Sequence, residues 1–138
     1  MQHRPDHPTL LDAVAQFLLG VVSPKLEADK ALQFRVLIAA NLASVVANEQ
    51  RTEATRFAAE VARLKTLLPD EAQALPLDST DRQTRLDALE TLNRALAMKL
   101  RAGTLSTEQL AHTLEALFAT AKDTLEVTNP RFDTAHEA

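Results

Sequence analysis

Glu108, His112 and Glu115 stand four and three residues apart, so on a helix they share one face. Two carboxylates and an imidazole so placed could help bind a metal ion, given further ligands from elsewhere, or move a proton. The same spacing also describes a solvated stripe opposite the apolar seam of Leu110, Leu114 and Leu117. His3 and His7 are likewise four apart, but Pro5 between them forbids a regular helix, and both are assigned to a mobile arm. Beyond these the chemical inventory is thin. There is no Gly-rich phosphate loop, Gly-x-Ser-x-Gly elbow, His-Glu-x-x-His helix or Glu-x-x-His element of a di-iron bundle. Cysteine is absent, which removes disulfides, thiolate catalysis and Cys-based zinc sites. No catalytic residue, metal or cofactor is expected.

Two polar residues conflict with their surroundings. Arg35 falls between Ala28, Ala39, Leu42 and Val46 on a helical wheel, inside the most apolar stretch of the chain. If buried, its guanidinium needs a partner, because an unpaired buried charge is costly. Glu49 is nearly four turns on and too far along the same axis to serve. The partner is then a carboxylate or helix C-terminus of another segment, a subunit neighbour, or a bound anion. Asn41 lies near the line of Phe34, Ile38 and Val45, and Ser44 and Asn48 continue a narrow polar strip. Such a strip bonds to backbone across a helix crossing or lines a groove.

The elements that must position these groups read as helices. Thr9 offers an N-cap with Asp12 three residues on, and Leu11, Val14, Leu18 and Val21 repeat at helical spacing until Ser23-Pro24. A second helix, about Ala28 to Asn48, is apolar on almost every face, the pattern of a central helix packed on several sides. The apolar phase shifts near Thr52, which predicts a break and a third helix, Glu53 to Leu68, striped by Phe57, Val61, Leu64 and Leu68. Residues 69–78 carry two prolines and read as a loop. A fourth helix starts after Asp78 or Ser79 and reaches Ala102, with Leu86, Leu89, Leu92, Leu96 and Leu100 inward and a Glu90–Arg94 pair outward. Gly103 sits where a left-handed C-terminal residue belongs, and Ser106 to Gln109 form a capping box for a fifth helix ending near Thr128. The expected architecture is all-α, a single bundle of about five helices over residues 1–138 with short connections, a flexible arm (1–8) and a loose tail (133–138).

Composition narrows the function classes. With two Gly and no Trp or Tyr, hairpins and stacking platforms lack raw material. The net charge of −4 and the absence of a basic run argue against nucleic-acid binding. The apolar stretches are interrupted by Asp12, Gln16, Arg35 and Asn41, and the N-terminus lacks a signal-peptide layout, so a soluble cytoplasmic protein without membrane attachment is expected. Surplus apolar helix faces point to a homodimer.

Phe34-Arg35-Val36 followed by Ala39-Ala40-Asn41-Leu42 and Glu49, Leu100-Arg101-Ala102-Gly103, and Lys122-Asp123-Thr124-Leu125 with Asn129-Pro130-Arg131-Phe132 form a recognisable layout. It resembles a bacterial all-helical family of unknown function whose genes often sit beside aminoglycoside-phosphotransferase-like kinases and acyl-CoA dehydrogenases. The resemblance puts weight on Arg35, Asn41, Glu49, Arg101, Asn129 and Pro130, and implies one of those enzymes as a partner. Where the last motif would close on Tyr, this chain has Phe132. The resulting expectation is a non-catalytic accessory or protein-interaction domain. The alternative is an anion-binding protein or enzyme with a pocket between helices near Arg35.

Overall fold

The computed structural model describes residues 5–129. Among them every regular element is helical: α1 (His7–Phe17), α2 (Lys30–Leu67), α3 (Pro69–Gln73), α4 (Arg82–Ala102) and α5 (Thr107–Thr128). The all-α expectation holds, with five α-helices that are not quite the five expected. The chain divides into two compact units, 1–54 with 125–138, and 55–124. Residues 1–4 of the expected arm and the tail from 133 lie outside the described residues.

In the first unit α1 begins earlier than Thr9. Asp6 is the N-cap, its carboxylate accepting the Thr9 N–H at 2.9 Å, and Pro8 in the first turn gives up an N–H that no helix carbonyl would have met. Approaching Pro24 the chain does not simply stop. It widens into a π-helical turn (Leu18–Val22), with the Ser23 N–H bonded to the Leu18 carbonyl, then tightens into a 3₁₀ turn (Ser23–Leu26). Pro24 in an α-helix would drive its ring into the carbonyl four residues back, and the change of helix type relieves that clash.

Asp29 then caps α2, accepting the Leu32 N–H at 3.0 Å. The Gln33 side chain donates to the Ser23 carbonyl at 2.9 Å, while Arg51 pairs with Asp12 at the other end, so α1 and residues 30–51 run antiparallel. The buried positions on this pair are small: Ala15 on α1, Ala40 and Ala47 on α2. Alanine allows two helices to approach closely but fills little volume. Leu11, Leu18, Val22, Val36 and Val45 are half-buried, and Leu10, Phe17, Phe34 and Leu42 lie on the other sides.

The expected break at 48–52 does not exist. No Gly or Pro falls between residues 30 and 67, and the Thr52 hydroxyl donates to the Asn48 carbonyl at 2.8 Å instead of capping a new helix. The phase shift is real but has another cause. One unbroken helix buries Ala40 and Ala47 in the first unit and Val61 and Leu64 in the second.

The second unit has an ordinary core of Val61, Leu64, Leu68, Ala72, Leu77, Ala88, Leu92 and Leu96. Part of the expected 69–78 loop is α3, with Pro69 in its first turn and Ala72 in the core, and Leu77 anchors the turn that follows. The α4 N-cap is Asp81, later than expected, accepting the Thr84 N–H at 2.7 Å and its hydroxyl at 2.6 Å. Arg85 donates to the Ser79 carbonyl at 2.9 Å and lies 5.6 Å over the Phe57 ring, tying α4 to α2. Two expectations at the α4–α5 junction hold as read. Gly103 is left-handed (φ 63°), and Ser106 and Gln109 bond reciprocally, Gln109 Oε1 accepting the Ser106 N–H at 2.9 Å.

The hydrogen bonds from Thr84 hold the Asp81 carboxyl below its ordinary value of 3.8. A carboxyl depressed in the folded state stabilises above its unfolded pKa, and that contribution is lost as pH falls through the lower folded value. Thermal melts should therefore show stability falling as pH drops below about 4. Asp81→Asn, which keeps a capping oxygen but does not titrate, should melt near wild type at pH 7 and lose less stability by pH 3; an unchanged acid loss would refute this assignment.

Candidate functional site

A cleft in the second unit and the outward faces of the first are candidates for engaging another molecule. The cleft, about 400 Å³, is lined by Arg63, Thr66 and Leu67 of α2 and His112, Glu115 and Ala116 of α5. His112 and Glu115 thus reach a concave site, as their shared helical face allows. The Thr66 hydroxyl donates to the Ala62 carbonyl at 3.1 Å. Among the described residues no group of three His, Asp or Glu side chains could hold a metal ion.

Arg63 gives the cleft its rigid wall. It donates to Asp123 at 2.7 Å, and both side chains are mostly buried. Its Nε is buried and makes no hydrogen bond. Sequence reading does not single out this pair, because its members are 60 residues apart and periodicity says nothing about which helices meet. Asn93 of α4 donates to Glu60 at 2.8 Å a turn earlier, so the polar side of α2 is engaged along this stretch.

The five residues marked from the sequence lie elsewhere. Arg35, Asn41, Glu49, Arg101 and Asn129 are all exposed, and none lines this cleft. Pro130 and Phe132 lie outside the described residues. The structure revises the reading of Arg35 as a buried charge. The helix carrying it is apolar all round, but only its alanine side is covered, and Arg35 projects on the other. Asn41 is exposed for the same reason.

That other side is an unusual surface. On α2, Phe34 is 62% exposed and Leu42 58%, with Leu37, Ile38 and Val46 also exposed. On α1 and its π-helical extension, Leu10, Val14, Phe17 and Val21 are exposed and form one stripe at helical spacing. A soluble monomer seldom leaves such contiguous apolar area in water, and patches of this kind mark contact sites. By length and composition alone, His7–Leu26 and Lys30–Leu67 are apolar enough to cross a membrane, although Asp12, Arg35, Glu49 and Arg51 interrupt them.

Residues 24–132 match the family described as Domain of unknown function (DUF6285). The chain belongs to that family. The DUF6285 stretch contains all of α2, α3, α4 and α5, including Arg35, Asn41, Glu49, Arg101 and Asn129, whereas α1 precedes it. Neither the curated proteins nor the solved structures include a match.

The Arg63–Asp123 pair makes a direct test of the cleft wall. Asp123→Ala should destabilise the protein by about 2 kcal/mol, less than a fully buried pair costs, because both groups keep some solvent. Replacing both partners with leucine should recover part of the loss in a denaturant melt; no loss in the single variant would show the pair to be incidental.

Proposed function

We propose that this DUF6285 protein is a non-catalytic accessory domain that works by docking onto another protein, and that it does so in the cytoplasm. One observation carries the proposal: the α1 stripe of Leu10, Val14, Phe17 and Val21 is exposed on a helix whose inner side is already packed. Four large apolar residues at this spacing are the anchors by which a helix seats in an apolar groove of a partner. Arg35 stands on an open face rather than in a pocket, so the anion-binding alternative has less support. The gene company of the family resembled points to a phosphotransferase-like enzyme or an acyl-CoA dehydrogenase as the partner.

The test is affinity capture from the native host with the wild-type chain and with the Val14→Glu/Phe17→Glu double variant, the fold of each checked by circular dichroism. Wild type should retain one such enzyme in near-stoichiometric amount, and the variant should lose it. Bait alone in both captures, or equal recovery in both, would end the proposal.

A further inference from the structure

The outward side of α2 carries more than apolar surface. Arg35, Ile38, Leu42, Val46 and Glu49 follow one another at steps of three or four residues and are all exposed. They lie opposite Ala40 and Ala47, the side that is buried. The stripe therefore has a cation at one end, an anion at the other and branched apolar residues between. Among the described residues neither Arg35 nor Glu49 makes an ion pair.

The stripe is symmetric in a way that selects its occupant. Arg35 and Glu49 are each seven residues from Leu42, about 10 Å along the helix. Ile38 and Val46 are each four residues from it. We propose that α2 pairs antiparallel with α2 of a second copy, with Leu42 on the two-fold axis. Leu42 then meets Leu42 of the other copy, Ile38 meets Val46, and each Arg35 lies opposite a Glu49 at both ends of the seam. A two-fold interface brings the same patch of each copy together, which this stripe requires. The parallel arrangement would set Arg35 against Arg35 and Glu49 against Glu49, so the charges fix direction as well as register.

This pairing uses α2 and leaves the α1 stripe open, so it stands independently of the accessory role. Arg35, which the sequence offers to a subunit neighbour among other partners, gains a carboxylate that it lacks among the described residues.

Sedimentation equilibrium of the full chain, with charge-reversal variants, tests the seam. Wild type should sediment at twice the chain mass, more weakly at high salt. Arg35→Glu alone and Glu49→Arg alone place like charges at both ends, and each should raise the dimer dissociation constant at least tenfold. The double reversal, Arg35→Glu with Glu49→Arg, should return it to near the wild-type value, which a variant damaged in folding could not do. A monomer at every concentration, or a double variant no better than the singles, would overturn the pairing. So would wild type that partitions onto phosphatidylcholine vesicles in place of dimerising. The Val14→Glu/Phe17→Glu variant should keep its dimer mass, so failure of the seam and failure of the accessory role are read separately.

Discussion

In the first unit the α1–α2 pair turns much of its side-chain volume outward. The α1–α2 pair is tied at both ends, by Gln33 to Ser23 and by Asp12 to Arg51, and what it buries between is chiefly alanine. Alanine adds little apolar area per residue, and the hydrophobic gain scales with area. The Phe and Leu residues that could contribute more, Phe17, Phe34 and Leu42 among them, face outward. The pairing proposed for α2 would cover one of these outer faces.

The second unit shows what the same composition does when large residues face in. Leu68 and Leu92 are fully buried, with Leu64 and Leu96 nearly so, and polar groups at the edge are engaged: Asn93 with Glu60, Arg63 with Asp123, Lys99 with Glu71. Its α5 nevertheless exposes Leu110, Leu114, Leu117 and Phe118. Its cleft between Arg63 and His112 is a consequence of how α2 and α5 are joined there, and its walls are set by structural pairs.

What the sequence made legible follows from local physics. The Ser106–Gln109 capping box, the left-handed Gly103, the Glu90–Arg94 pair and the leucine seam of α4 depend on neighbours a few residues away, and each stands as read. The errors lie where local signals have two explanations. A phase shift near Thr52 signals a helix break or a change of buried side, and only the packing of Ala47 and Val61 decides. An all-round apolar helix signals a central position or an unpartnered one. That ambiguity turned Arg35 and Asn41 into buried polar residues, when both are exposed on the uncovered side. The Arg63–Asp123 pair left no trace in the sequence, since no periodicity joins residues on different helices.

The proposed cover on the first unit can be measured without substitution. Amide hydrogen exchange followed across protein concentration reports the local stability of each helix. If the outer face of α2 is covered by a second copy, amides in residues 30–54 should become more protected as concentration rises, while those of α4, in the second unit, should not change. Equal, concentration-independent protection of both stretches would contradict this, and would mean that the alanine-packed helices hold together on their own.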